Sequence, residues 1–177
     1  KVEAVLGPES VVTDCTSVKS ALATWSDARG GALSERFVPG HPMAGHENSG
    51  PAFASAWMFR GARWLLTPTR RTRTDAVARV SGLVKEMGAT PVRVSAEKHD
   101  ETVAVLSHLP HLIAAALLEM GEALESPEVA AGSWNDLTRV GGSNPELWSQ
   151  ILTGNADHAS RAVDELIIKL QSYRGAL

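Results

Sequence analysis

This 177-residue sequence has one cysteine, a small net charge and no long apolar run, and each of these features excludes a class of protein. The single cysteine, Cys15, cannot form an internal disulfide, which excludes a disulfide-stapled secreted scaffold and predicts a reducing, cytoplasmic setting. The longest apolar run, residues 112–118, is far shorter than the roughly 20 residues of a membrane span. The net charge of −3 lacks the basic excess of a nucleic-acid-binding protein.

Short motifs for dinucleotides, phosphates and nucleophiles are also missing. The sequence holds no GxGxxG fingerprint, no P-loop, no GxSxG elbow and no CxxC pair. It begins KVEAVLG, without an initiator methionine or a signal peptide, and this stretch reads like the end of a helix. We therefore expect the chain to begin inside a larger protein.

The first half alternates short apolar runs with helical patterns, which predicts an α/β layer. Strands are predicted at residues 11–13, 37–38, 64–67 and 92–94, and helices at 17–25 and 74–87. Thr16 or Ser17 is expected to cap the first helix and Thr74 the second, which Gly88 would end. Cys15 is interpreted as a small buried residue.

After about residue 96 the strand signals stop, so the sequence predicts an α/β part followed by an all-α part. A helix is predicted at 99–120; because it is apolar on every side beyond Leu109, we expect it to be buried in a bundle or between subunits. Pro110 should kink this helix or begin a new one. The last helix is predicted at 155–170, and the two domains at residues 1–96 and 97–177.

A histidine between glycines and prolines is the first candidate functional residue. His41 lies in FVPGHPMAGHE, where Gly40 and Gly45 permit close backbone approach and Pro42 fixes the chain. Because this loop follows a predicted strand, it falls where open α/β sheets bind ligands. The pattern alone fits a site residue and a surface-loop histidine about equally well.

Further candidates lie in the helical half. His108 and His111 are three residues apart and share a helix face, which fits a metal site, although a hydrogen-bonded core histidine is the commoner case. Additional ligands for such a site would be His41, His99 or Asp100. Arg139, in WNDLTRVGGSNPELW, is placed to grip a carboxylate with two parallel hydrogen bonds.

Five segments occur in order between residues 11 and 150: VVTDCTSVKSAL, FVPGHPMAGHENSG, LTP at residues 66–68, HDETVAVLSHLPHLIAAAL and DLTRVGGSNPELW. Together they resemble the prephenate/arogenate dehydrogenases of tyrosine biosynthesis, and HPMAG and SHLPH are specific as a pair. The resemblance implies the C-terminal part of a Rossmann-like nucleotide-binding domain followed by a helical dimerisation domain. The N-terminal part that carries the family's dinucleotide fingerprint would be absent.

The same resemblance implies an oxidoreductase that uses NAD or NADP to decarboxylate prephenate to 4-hydroxyphenylpyruvate, or arogenate to tyrosine. His41 would hydrogen-bond the substrate hydroxyl and accept its proton, which suits an imidazole near pH 7. Ser17 would orient His41 and contact the substrate near the nicotinamide. The other residues implied are Glu47, His111, Arg139 and Trp148 for the substrate, and Thr13, Asp14, Ser17 and Pro42 for the cofactor.

The resemblance also implies a homodimer through the helical domain, with Arg139 reaching the partner's site. Departures from the family pattern are Cys15 and Thr16 before Ser-Val-Lys, His46 beside Glu47, and Asn135 where some members carry lysine. Because the fingerprint is missing, we expect no dehydrogenase activity from these 177 residues alone, and activity from the complete gene product.

Two hypotheses outside the family stay open at this stage. One is a metal-dependent hydrolase that uses His41, His108 and His111. The other is a non-catalytic dimerisation or regulatory module whose histidines sense an aromatic ligand. No nucleic acid, membrane or metal is expected as a partner.

Overall fold

The computed structural model describes residues 6–7, 9–45, 50–125 and 127–177, and the chain divides into two compact units. The N-terminal unit ends at Asp100, and the C-terminal unit spans Glu101–Leu177. The first is α/β and the second is helical, which confirms the predicted fold class. The helix-like start at residues 1–5 and the positions His46 and Glu47 lie outside the described residues.

Two small sheets form the N-terminal unit, and Pro39 joins them. Strand β1 (Val12–Thr13) pairs parallel with β2 (Phe37–Val38). After Pro39 the chain continues as β3 (Gly40–Pro42), which pairs antiparallel with β4 (Arg63–Leu66); β4 pairs parallel with β5 (Thr90–Arg93). Sequence patterning misses β3 because glycine and proline are poor strand formers. His41 therefore lies in a strand, opposite Leu65, and not in a free loop.

The α-helices described in this unit are interspersed with its strands, and the last of them packs against β2 and β5. They are α1 (Ser20–Arg29), α2 (Gly31–Arg36) and α3 (Thr74–Glu86). Val80 and Val84 of α3 pack with Val38, Trp64 and Leu66 in one buried core. This apolar face follows from the three- and four-residue spacing that predicts the helix.

The predicted helix caps are wrong. The residues that precede α1 and α3 are Lys19 and Arg73, and neither side chain makes a cap hydrogen bond. Thr74 is itself the first residue of α3, so its side chain is one position too late to act as an N-cap. The backbone N–H groups at the start of α1 bind the side chain of Asp100 instead.

The C-terminal unit is built on a long helix with an irregular turn inside it, and the first residues of this helix, 96–100, belong to the N-terminal unit. Helix α4 (Ala96–Val103), a π turn (Ala104–His108) and α5 (Leu109–Glu122) follow one another without a break. Pro110 has no N–H and crowds the preceding turn, and the wider π turn accommodates it. The remaining helices are α6 (Gly132–Thr138), α7 (Pro145–Gly154) and α8 (Ala156–Ala176).

By length and composition alone, the helix Ala96–Glu122 could cross a membrane, with a mean hydropathy of 1.6 in its most apolar window. Core helices of soluble proteins pass the same test, and this helix carries buried His99 and His108. The absence of a membrane partner therefore stays a prediction. Leu106 and Met120 are 72% and 68% exposed, so this helix is not buried all round within one chain.

Candidate active site

A buried lysine ties the end of β1 to the start of β3. The side chain of Lys19 is fully buried, and its Nζ donates to Asp14 Oδ2 and to the carbonyl oxygen of Gly40. Asp14 Oδ1 in turn accepts the N–H of Gly40 at 3.0 Å. A Cβ at Gly40 would lie 2.7 Å from Trp64 Nε1, so only glycine fits. These contacts fix the backbone immediately before His41.

The residues that follow β1 are polar and partly open to solvent. Burial would raise the pKa of Asp14, but hydrogen bonds from Lys19 and Thr16 outweigh it and hold that pKa below its usual value. Thr13 Oγ1 donates to the carbonyl of Val38 at 2.8 Å. Cys15 is exposed, which corrects the expectation that it is buried: it lies beyond the strand end. Partial desolvation and the Asp14 carboxylate raise the pKa of its thiol.

His41, half-buried in β3, lies at one end of a chain of three polar side chains. Its Nδ1 lies 2.9 Å from Nε2 of His99, and Nδ1 of His99 lies 2.7 Å from Asp100 Oδ1. His99 and Asp100 are buried, with exposures of 0% and 1%. From sequence alone, His99 and Asp100 are candidates only as metal ligands, because 58 positions separate His99 from His41 and no local pattern links them. The sequence feature that points to these residues is the adjacent His-Asp pair at the start of the helix predicted at 99–120.

Asp100 also caps α1. Its Oδ1 accepts the N–H of Lys19 at 2.9 Å, and its Oδ2 accepts the N–H of Ser20 at 2.8 Å. The first N–H groups of a helix have no partner within the helix, and a carboxylate suits its positive end. Burial would raise the pKa of Asp100, but hydrogen bonds from His99, Ser20 and Lys19 lower it to about 2.

Acid is expected to destabilise the protein through Asp100. A carboxyl group whose pKa falls on folding, here from 3.8 to about 2, stabilises the folded state above the unfolded pKa and loses that contribution as the pH falls through the folded pKa. We therefore expect the free energy of unfolding to decrease between about pH 4 and about pH 2, and less steeply in Asp100→Asn. Urea unfolding followed by circular dichroism measures both slopes; equal slopes would contradict the prediction.

A second cluster lies in the C-terminal unit, where His111 stacks on Trp148. The ring planes are 5° apart and the centroids 3.6 Å apart. His108 meets the same indole edge-on at 6.1 Å, and its Nδ1 lies 3.3 Å from Asn155 Nδ2. Both histidines thus lie against one tryptophan. Among the residues that the structure describes, no group of three or more His, Cys, Asp or Glu side chains is placed to hold a metal.

Local sequence explains the position of Trp148. Asn144 caps α7, with its Oδ1 accepting the N–H groups of Glu146 and Leu147 at 2.9 and 3.2 Å. Pro145 occupies the first helical position, where its missing N–H costs nothing. Trp148 follows in the first turn of this well-defined helix.

A glycine brings the turn that carries Arg139 against α5. A Cβ at Gly141 would lie 2.9 Å from the backbone carbonyl carbon of Ala114 and 2.8 Å from Leu118 Cδ1. The 3₁₀ turn Arg139–Gly142 therefore depends on glycine for this approach. Arg139 itself is exposed at the start of the turn.

His111 is the second histidine with an unusual setting. It is 6% exposed, and its Nδ1 has no hydrogen-bond partner within the described part of the chain. Burial lowers the pKa of His111, and a hydrogen bond with the backbone of Val140 acts in the opposite direction by raising it. Because buried polar atoms are nearly always hydrogen-bonded, an unpaired ring nitrogen marks His111 as a candidate ligand contact.

The predicted site residues thus fall into two groups, one in each unit. The N-terminal unit holds Thr13, Asp14, Ser17, His41 and Pro42, and the C-terminal unit holds His111, Arg139 and Trp148. Ser17 is partly exposed, and Pro42 is buried in β3 opposite Trp64. The predicted substrate contact Glu47 lies outside the described residues.

An α/β unit with polar residues beyond its strands, followed by a helical unit, is the architecture of a nucleotide-binding domain joined to a helical domain. Residues 1–93 match the family "Prephenate dehydrogenase, nucleotide-binding domain", and residues 95–177 match "Prephenate dehydrogenase, dimerization domain". The chain belongs to the prephenate dehydrogenase family.

Individual relatives agree with this assignment. The chain is 36% identical over 173 residues to the prephenate dehydrogenase of Bacillus subtilis, covering 94% of this chain and 46% of that protein. It is similar to the crystal structure of Aquifex aeolicus prephenate dehydrogenase in complex with hydroxyphenyl propionate and NAD+, with a TM-score of 0.85, 31% identity and coverage of 98% and 62%. Synechocystis arogenate dehydrogenase gives a TM-score of 0.75, 29% identity and coverage of 94% and 61%. The chain spans about half the length of the curated relatives it matches.

Proposed function

We propose that the complete protein is a prephenate dehydrogenase, an oxidoreductase that converts prephenate to 4-hydroxyphenylpyruvate in tyrosine biosynthesis with NAD or NADP. The observation that carries this proposal is the setting of His41. It lies in HPMAG, on a strand held by Lys19 and Asp14, with its ring hydrogen-bonded to a buried histidine. The match of the whole chain to the two family domains supports the same conclusion.

In this reaction His41 takes the proton of the ring hydroxyl, with Ser17 orienting it. As the O–H bond breaks, hydride leaves the ring carbon that bears the hydroxyl. The dinucleotide, when bound, supplies the hydride acceptor. The bond between the ring and its carboxylate then breaks, carbon dioxide departs, and the electron pair completes the aromatic ring. His41 returns the proton to the oxygen, so that the product is a phenol.

The residues after β1 fit the nicotinamide end of a dinucleotide. Ligands bind at the carboxyl ends of parallel strands, and β1 pairs parallel with β2. Asp14 and Ser17 are partly exposed there, and Thr16 between them is exposed. The cofactor contacts proposed in this unit are Thr13, Asp14, Ser17 and Pro42.

Substrate binding is proposed for His111, Trp148, Arg139 and Glu47. His111 offers an unpaired Nδ1, and Trp148 beside it offers an aromatic face. Prephenate carries two carboxylates and arogenate also carries two, so an arginine among the contacts is chemically expected. The similarity of the chain to Synechocystis arogenate dehydrogenase supports arogenate as the alternative substrate.

Replacing Arg139 is expected to weaken substrate binding more than catalysis. Arg139→Gln removes a charged two-bond contact, so KM should rise about 10- to 100-fold with a smaller change in kcat. Arg139→Lys keeps the charge without the planar fork and should give an intermediate KM. Steady-state kinetics of the complete gene product measures both, and a KM within twofold of the parent in Arg139→Gln would contradict the assignment.

The protein is further proposed to be a cytoplasmic homodimer that associates through the C-terminal unit. The family description of this unit as a dimerization domain supports the proposal. So do its exposed apolar side chains, among them Leu106, Met120 and Val129. Analytical ultracentrifugation of the complete gene product measures the oligomeric state.

The direct test of the proposed function is reduced-cofactor formation by the complete gene product. Prephenate and arogenate are each supplied with NAD and with NADP, and the absorbance of the reduced cofactor follows turnover. Turnover with prephenate supports the main proposal, and turnover with arogenate alone supports the alternative. A folded dimer inactive with all four combinations would overturn both.

A further inference from the structure

The two side chains behind His41, His99 and Asp100, determine which nitrogen of its ring carries a proton. His99 lies between His41 and Asp100, 2.9 Å from the first and 2.7 Å from the second, and each contact uses a different ring nitrogen of His99. His99 is fully buried, so protein groups define the hydrogen bonds of its ring. The ring nitrogens of His99 and His41 that carry hydrogen can therefore be assigned in turn, starting from Asp100.

Asp100 acts only as a hydrogen-bond acceptor in this series of three side chains. It receives the N–H groups of Lys19 and Ser20, and these hydrogen bonds keep its pKa near 2, so it is a carboxylate at neutral pH. A carboxylate has no proton to donate, so Nδ1 of His99 must carry the hydrogen of the 2.7 Å contact.

The assignment then passes to His41. When the His99 ring is neutral, its one hydrogen is the one on Nδ1, so Nε2 is an acceptor. The 2.9 Å contact between the rings consequently requires hydrogen on Nδ1 of His41. In that tautomer the lone pair of His41 is on Nε2.

We propose that His99 and Asp100 are positioning residues that hold His41 in its Nδ1–H tautomer and make Nε2 the proton acceptor. The use of Nε2 as the base rests on the proposed function, whereas the tautomer follows from the hydrogen bonds with Asp100 ionised and the His99 ring neutral. When the substrate O–H bond breaks, its proton bonds to Nε2, and the positive charge that forms on His41 is stabilised through His99 by the Asp100 carboxylate. An acid–histidine pair that orients a base in this way follows the logic of the serine-protease triad.

The test compares two substitutions of His99 in the complete gene product. His99→Gln can accept the Nδ1–H of His41 with its amide oxygen, so it should keep the tautomer and leave kcat within about tenfold of the parent. His99→Leu offers no acceptor, so His41 should lose the preference for Nδ1–H, and kcat should fall about 10²- to 10⁴-fold. Long-range proton–nitrogen NMR of protein labelled at histidine with ¹⁵N reports which nitrogen of His41 is protonated.

The NMR measurement on the unsubstituted protein separates this inference from the proposed function. Hydrogen on Nδ1 of His41 supports the inference even if no substrate combination gives turnover. Hydrogen on Nε2, in a protein that does turn over prephenate, overturns it and leaves the function in place. A folded His99→Leu variant that keeps the parent's tautomer and kcat also overturns it. If His99→Leu does not fold, the unsubstituted protein and His99→Gln still decide the question.

Discussion

Replacing His41 with alanine in the complete gene product should lower kcat by about 10²- to 10⁴-fold, the usual contribution of a general acid–base group. Alanine can neither take the hydroxyl proton nor return it to the phenolic oxygen. The substitution also leaves Nε2 of buried His99 without its ring partner, which should cost about 1–3 kcal/mol of stability. Stopped-flow absorbance for turnover and a thermal melt for stability measure the two effects separately.

A matched histidine substitution provides the control for this experiment. His158 lies on α8, where its Nδ1 is 2.8 Å from Arg161, and it belongs to neither candidate cluster. His158→Ala should keep kcat within about twofold of the parent. If His41→Ala folds and turns over at the parent's rate, His41 is not the base and the proposed mechanism fails.

Lys19→Met should produce the largest loss of stability among the substitutions considered. The Lys19 side chain is fully buried and donates to Asp14, Thr16 and the carbonyl of Gly40. Methionine matches its length but leaves the Asp14 carboxylate without its counter-ion. Breaking a buried ion pair on one side costs about 3–5 kcal/mol, a large part of the roughly 5–15 kcal/mol that stabilises a domain. Urea unfolding of the complete gene product measures the difference.

Two further variants distinguish the buried pair from a general effect of removing charge. Arg73→Met breaks an exposed pair with Asp75, in which both side chains are 53% accessible, and should cost less than about 1 kcal/mol. The double variant Asp14→Asn with Lys19→Met removes the buried charge as well and should recover part of the loss. Equal losses in Lys19→Met and Arg73→Met would show that Lys19 has no special structural role.

Much of the fold could be predicted because it depends on patterns that are local in sequence. The spacing of Val80 and Val84 with Gly88 predicts α3 to within a residue of its end, since an amphipathic face and a left-handed terminal glycine are local properties. The alternation of strands and helices likewise predicts the α/β class. Strand β3 escapes prediction because its pairing with β4 overrides the poor strand propensity of Gly40 and Pro42.

The site could be predicted only in part, for the same reason. The segments around His41 and His111 have distinctive local sequences, so both histidines can be chosen as candidates from sequence alone. The His99–Asp100 pair is local too, but its contacts with His41 and with the start of α1 join residues 58 and 80 positions apart. Tertiary contacts of this kind leave no mark in a single sequence. The role of Lys19 is hidden similarly, because nothing local shows that its side chain is buried.

The cap that Asp100 provides also links the folding of two distant segments. Among its residues, α1 buries Ser26 alone, so it has little apolar surface to form independently. The amides of Lys19 and Ser20 at its start have Asp100 as their acceptor, and Asp100 lies at the start of α4. Bringing α4 to α1 closes the long loop between them, which has an entropic cost. Deuterium exchange at these two amides therefore reports on the docking of α4. The same contacts place His99 beside His41, so we expect the helix after β1 and the histidine pair to become ordered together during refolding.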